Sequence, residues 1–158
     1  MELGINPYKA APKAYQAMSA LQARTESCEL EPSLLELVKI RASQINGCAY
    51  CPDMQMKDAR ALGETEQRMY VLNAWRESSF YSGRERAALE WTEAVTLISE
   101  GHVPDDTYAR AIKQFQPEEL VDLTVAIAMI NGWNRLGVAF QAKPGSYQSH
   151  RQPTKAQA

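Results

Sequence analysis

The sequence predicts an all-α fold: a single domain of about six or seven helices with a paired-cysteine motif at one helix N-terminus. Three observations predict it. Apolar residues recur at three- and four-residue intervals, the spacing of one helix face. Sustained alternation of β-branched and polar residues is missing, as is a strand-flanked turn dipeptide. Start and stop residues bracket most of the apolar stretches. In chain order, Lys9 to Arg24 is rich in Ala, Met, Gln and Leu, which are strong helix formers. Pro32 and Ser33 open a second helix, with Leu34, Leu37, Val38, Ala42 and Ile45 on one side, and Asn46-Gly47 stops it. A third follows the two neighbouring cysteines and ends near Leu62-Gly63. Thr65 caps a fourth, in which Met69, Leu72 and Trp75 share a face. Ser82 caps a fifth, which runs through Trp91 and Ile98 to Gly101. Pro104 to Phe115 forms a short sixth. Pro117 opens the last and most apolar helix, from Leu120 to about Phe140.

With 158 residues the chain has the length of one ordinary domain. A helical domain over 1–142 and a flexible tail over 143–158 are expected, because little after Pro144 can be buried. Seventeen Lys and Arg against nineteen Asp and Glu give a formal charge of −2, without the basic excess of a nucleic-acid clamp. Hydrophobic residues at 45% exclude a wholly disordered chain. The longest fully apolar run, Val125 to Ile130, is too short to span a bilayer, and Met1 to Pro7 lacks the pattern of a signal peptide. Three cysteines are too few, and odd in number, for a disulfide scaffold. The expectation is a cytoplasmic protein with reduced thiols, without membrane or nucleic-acid partners. No Gly-rich phosphate loop is present, so no bound organic cofactor is expected.

The chemistry gathers at Cys48-Ala49-Tyr50-Cys51. Two cysteines at this spacing can close a small disulfide ring, and a helix start favours a thiolate. Pro52 suggests a helix beginning at that residue, with Cys51 at the cap facing the N–H groups of Asp53 and Met54. A helix from Asn46 kinked at Pro52 is the competing arrangement. A zinc site is a poor alternative, since only His102 and His150 accompany the pair. Two buried structural thiols, or a static disulfide, are the other plain readings. In the preceding helix Glu36, Ile40 and Ser43 lie near a common face, distinct from the one centred on Leu34, Val38 and Ile45. Position alone makes Glu36 a solvated carboxylate; beside a dithiol, a buried one could accept or donate a proton.

The segment from Glu36 to Cys51 closely resembles the core of the alkylhydroperoxidase D family, within the carboxymuconolactone decarboxylase superfamily. Similarity continues through Met56-Lys57-Asp58-Ala59-Arg60, Leu72 to Glu77, Arg84 to Ala94, Glu119 to Thr124 and Ile130 to Arg135. The resemblance covers roughly residues 8 to 142. It implies a helical homo-oligomer, trimeric or hexameric, acting on a small peroxide or disulfide. It also implies a redox-active disulfide between Cys48 and Cys51, restored by a lipoyl- or thioredoxin-like dithiol. Cys51 would attack and Cys48 would resolve. Glu36 matches the glutamate of a proton relay whose histidine stands four residues after the second cysteine.

Gln55 occupies that histidine's position. An amide forms hydrogen bonds but takes up no proton near neutral pH. The expected activity is a thiol-dependent peroxidase or disulfide reductase weakened at Gln55. A carboxymuconolactone decarboxylase-like enzyme and a non-catalytic redox sensor or oligomeric module are the alternatives. Cys28, between Ser27 and Glu29, matches no motif, and the three tryptophans read as core or subunit contacts. Asn131 and Asn134, which bracket Trp133, are candidates for the pocket wall.

Overall fold

The structure, a computed structural model, describes residues 5–151. Among them are nine α-helices, one 3-10 segment and no strand. The helices are α1 (Pro7–Ala10), α2 (Pro12–Glu26), α3 (Pro32–Ile45), α4 (Tyr50–Ala61) and α5 (Glu66–Tyr70), then α6 (Gly83–Thr96), α7 (Ile98–Gly101), α8 (Asp105–Ala111) and α9 (Pro117–Ala139). The 3-10 segment, Leu72–Glu77, follows α5. Three of the seven expected helices are subdivided. Pro12 opens α2 and leaves Ala11 non-helical at φ −138° and ψ 67°. The helix capped by Thr65 tightens into the 3-10 segment after Val71. The one capped by Ser82 breaks at Leu97, where φ is −98° and ψ is 31°.

The capping signals act as their chemistry requires. Arg68 N–H donates to Thr65 Oγ1, and Glu85 N–H donates to Ser82 Oγ while Ser82 N–H donates to Glu85 Oε2. Gln116 N–H donates to Glu119 Oε2 at the start of α9.

Helix α3 is the centre of the molecule and packs on α4, α6 and α9. Every residue from Leu34 to Ile40 is buried, so this helix has no solvent face over its middle turns. Leu34, Leu35 and Val38 join one core cluster with Trp91, Phe115, Leu123 and Ile127. Leu37 and Ile40 join a second with Met69, Leu72, Trp75 and Leu89. Cys28 packs against the first cluster. No described helix is long and apolar enough to cross a membrane.

The segment after α9 is tied down as far as it is described. Gly145 N–H donates to Asp53, and Tyr147 and Ser149 hydroxyls donate to Asp58. Arg151 pairs with Glu26 at 2.9 Å. Of the expected flexible tail over 143–158, the described part up to Arg151 is thus held against α4 and α2, and 152–158 lie outside the described residues.

Glu93 joins the second cluster to α3. Trp75 Nε1 and Arg41 Nε donate to its Oε1 at 2.8 and 2.9 Å, and Arg76 donates to its Oε2. Burial pushes the Glu93 carboxyl upward, but these three donors outweigh it and hold the carboxyl below the usual glutamate range. A depressed folded value means stability that is present above the ordinary glutamate pKa and lost as pH falls through the folded one. Glu93→Gln is expected to lower stability at neutral pH by about 1–3 kcal/mol, the worth of charged hydrogen bonds. The gap to wild type should narrow on acidification. Urea midpoints measured across the acid range check both.

Candidate active site

The site begins with a turn. Helix α3 ends on Gly47, whose φ of 64° is left-handed. Gly47 N–H then bonds Gln44 O and Cys48 N–H bonds Ser43 O, the paired bonds of a Schellman C-cap. This turn delivers Cys48 directly to the start of α4.

The helix start differs from both arrangements anticipated from Pro52. Helix α4 begins at Tyr50, so Cys51 lies within its first turn and is not the cap. Pro52 falls at the third helical position, where a missing N–H leaves no intrahelical bond unmade. The N–H of Cys51 donates to Cys48 Sγ at 3.3 Å. Nor is Cys51 the favoured thiolate that a capping position would make it. Burial pushes its thiol up to about 12, with the neighbouring Cys48 sulfur adding to the rise and a hydrogen bond from Asn134 opposing it.

Both cysteines are free thiols and each is 5% exposed. They abut Gly137 of α9: a Cβ built there would lie 3.2 Å from Cys48 Sγ and 3.5 Å from Cys51 Sγ. Cys48 also lines an open groove of about 690 Å³, with Arg41, Gln44, Pro52, Met56 and Tyr70.

Behind the sulfurs a polar chain crosses the core. Ser43 Oγ donates to Gln55 Oε1 at 3.2 Å and accepts from Asn134 Nδ2 at 2.8 Å. Asn46 Nδ2 donates to Asn134 Oδ1 at 2.8 Å and to Asn131 Oδ1 at 3.0 Å. Asn131 donates onward to Thr96 Oγ1 and Ile127 O. The structure therefore brings Cys48, Cys51 and Gln55 together with Ser43, Asn46, Asn134 and Gly137.

Glu36 belongs to an adjoining charged group. It is 2% exposed, which overturns the reading of a solvated carboxylate. Lys39 Nζ donates to its Oε1 at 2.6 Å and Arg151 lies 3.6 Å from the same oxygen, while Oε2 is buried without a hydrogen-bond partner. Burial raises the Glu36 carboxyl, against the pull of Lys39 and then Arg151. The histidines stand elsewhere: His102 ends α7 and His150 lies edge-on to Tyr147. Among the described residues no group of three or more His, Cys, Asp or Glu side chains could hold a metal ion.

Sequence reasoning missed Asn46, Lys39, Gly137 and the Asp58–Tyr147 contact. Gly137 carried a usable signal, because glycine inside an apolar helix costs helix stability and calls for a packing reason.

This fold and site define an all-helical domain of the alkylhydroperoxidase D type carrying a CxxC pair. The chain belongs to the carboxymuconolactone decarboxylase family, matching it over residues 9–94. It is 43% identical to YdfG, an uncharacterised protein of Bacillus subtilis (strain 168), over 146 residues that cover 92% of this chain and 99% of YdfG. Among solved structures it resembles ATU0492 of Agrobacterium tumefaciens, a protein of unknown function suggested to be an antioxidant defence protein AhpD. That likeness has a TM-score of 0.88 at 44% identity, covering 90% of this chain and 98% of the other. The debrominase Bmp8 shares the fold, with a TM-score of 0.78 at 19% identity, covering 87% of this chain and 74% of its own.

Gly137→Ala tests the contact between α9 and the sulfurs. The helix gains about 1 kcal/mol in propensity, while the new methyl crowds both thiols. The expected result is a melting temperature close to wild type with disulfide closure slowed several-fold. Thermal melts and thiol titration after oxidation read the two effects separately.

Proposed function

We propose that this chain is a CxxC-dependent oxidoreductase that reduces a small peroxide or disulfide at the expense of a dithiol, acting in a reducing compartment as a homo-oligomer. The observation that carries this reading is the pair itself: two free, closely apposed thiols at a helix start, one of them lining an open groove. The family membership and the likeness to ATU0492 support it.

With a peroxide the cycle balances in three steps. The Cys51 thiol attacks the peroxide, the O–O bond breaks, and an alcohol leaves as Cys51 becomes a sulfenic acid. The Cys48 thiol attacks that sulfur and releases water, closing the disulfide. A lipoyl- or thioredoxin-like dithiol then reduces the disulfide and leaves as its own disulfide. Glu36 takes the place of the relay acid. Gln55 accepts a hydrogen bond from Ser43 but supplies no titratable group between Glu36 and the thiols.

Adding hydrogen peroxide to the reduced protein is expected to consume two thiols as a Cys48–Cys51 disulfide that a dithiol restores. Peptide mapping identifies the bond. Cys51→Ser is expected to abolish both the disulfide and peroxide turnover, and full activity in that variant would end this reading.

Gln55 favours one second reading, a redox sensor whose disulfide forms without rapid turnover. Gln55→His is then expected to raise peroxide turnover by about 10²-fold or more, the range of a restored general base. Steady-state peroxide consumption measures it, and no gain at all would rule the relay out.

A further inference from the structure

We propose that the groove beside Cys48 takes a small organic thiol-exchange partner, a dithiol and its disulfide, that carries a carboxylate, and that Arg41 is the residue that recognises this carboxylate. The inference rests on the redox reading above and deepens it by naming the chemical class that meets the sulfur.

Size, wall and charge point the same way. The groove of about 690 Å³ falls within the range of small-molecule sites, about 300–1,000 Å³, and has room for far more than hydrogen peroxide. Pro52, Met56, Met69 and Tyr70 offer an apolar wall to an organic body, and Cys48 is the one cysteine among the lining residues. Arg41 is the one ionised side chain of the lining, and no carboxylate belongs to it.

Arg41 keeps both a donor and charge to spare. Its Nε donates to Glu93 at 2.9 Å and its Nη1 to Gln44 Oε1 at 3.3 Å, which together fix the plane of the guanidinium. Nη2 has no protein partner among the described residues and is not buried, so its N–H groups are left for a ligand. Glu93 does not cancel the charge, because it also pairs with Arg76: two guanidiniums share one carboxylate. Glu66, which accepts the Tyr70 hydroxyl at 2.7 Å, is itself paired with Arg60 at 2.9 Å. The whole chain carries −2, so an anion is drawn here by where the charge sits and not by net charge. A guanidinium N–H on a carboxylate is the stronger, charge-assisted kind of hydrogen bond.

The exchange balances in two steps. One thiolate of the bound dithiol attacks the Cys48 sulfur of the closed pair. The S–S bond breaks, its electron pair goes to Cys51, and the ligand is joined to Cys48 as a mixed disulfide. The second ligand thiolate then attacks the ligand sulfur of that bond. Cys48 leaves with the electron pair, and the ligand departs as its own disulfide. The two protons that the dithiol gives up are the two that the cysteines gain. Arg41 holds the carboxylate and exchanges no electrons.

The test first reads the groove without any peroxide or disulfide. The reduced protein is alkylated with iodoacetate, an anion, and with iodoacetamide, its neutral amide, and peptide mapping gives the rate at Cys48 for each. Both reagents meet the same thiolate, so the ratio of the two rates cancels a change in thiol acidity or a general loosening of the site. A positive charge beside the sulfur is expected to lift the ratio about threefold above that of N-acetylcysteine amide, the effect of a unit charge several Å away in water. Added salt should lower it. Arg41→Lys keeps the charge and should keep the raised ratio. Arg41→Gln is made in a Glu93→Gln background, so that no carboxylate is unmasked, and is expected to lose the rise. An unmoved ratio in that variant overturns the proposal, and so does a Cys48 that neither reagent reaches, because the groove is then covered. If the variant does not fold, a wild-type ratio that is not raised, or that ignores salt, overturns it instead.

Reduction of the closed Cys48–Cys51 pair by dihydrolipoate and by dihydrolipoamide, which differ in carboxylate against amide, separates the proposal from the redox reading. Relative to their rates on a small neutral disulfide, dihydrolipoate is expected to be favoured by about the same threefold. A raised alkylation ratio in a chain that forms no disulfide upholds Arg41 and the groove as a carboxylate site and defeats the redox reading. A disulfide that both dithiols reduce equally well defeats this proposal and upholds the redox reading.

Discussion

The arrangement of α3, α4 and α9 depends on one constraint: polar groups buried between them must find hydrogen-bond partners. Ser43, Gln55 and Asn134 are all buried. Each unpaired buried donor or acceptor would cost about 1–3 kcal/mol. Their bonds run in one direction, from Asn46 to Asn134 to Ser43 to Gln55. A slip of α9 against α3 by one residue would break at least two of them. Apolar packing alone tolerates such slips better, because its contacts are non-directional. The polar chain therefore sets the register, and the position of Gly137 against the sulfurs follows from it.

Paired cysteines at a helix start suggest that the helix itself tunes the thiols. Here the contribution of α4 is narrower. Its second N–H serves Cys48, Pro52 supplies no N–H, and Cys51 sits inside the first turn. What opposes the burial of Cys51 comes first from Asn134 of α9 and then from the backbone N–H of Cys51 itself. The site is thus made from three helices: α3 supplies the turn that places Cys48, α4 supplies Cys51 and Gln55, and α9 supplies the wall. No one of them would hold the sulfurs in this setting, which is why the chemistry is a property of the packed core.

The helices, the Ser82 and Thr65 caps and the stop at Gly47 were legible in the sequence because each is decided within a few residues. The family was legible because its motifs extend over nearly the whole domain. Other features depend on tertiary context. Glu36 reads as a surface residue by helical position, yet α3 is buried around its whole circumference, and only the neighbours of a helix decide that. The position of Cys51 turned on whether the helix begins before or at Pro52, and a first turn tolerates proline at either place. The segment after Pro144 has little to bury and looks free, but Asp53 and Asp58 draw in its N–H and hydroxyl groups. Asn46 and Asn134 are 88 residues apart, and no local pattern announces their pairing.

The same polar chain bears on what Gln55 does to the chemistry. A histidine at this position could receive a proton on one nitrogen and release it from the other. Gln55 offers Ser43 a carbonyl oxygen, and neither an amide nor a serine hydroxyl changes charge near neutral pH. The chain therefore conveys polarity without conveying protons. The thiols lie against Gly137 of α9, while Glu36 is engaged by Lys39 and Arg151. Cys48 faces the groove, which gives the pair a route to solvent that does not pass through Gln55. A dithiol exchanging with Cys48 carries its own protons to the site, whereas a peroxide needs one delivered to its leaving oxygen. On the proposed oxidoreductase reading, Gln55 would therefore weigh more heavily on peroxide reduction than on thiol–disulfide exchange.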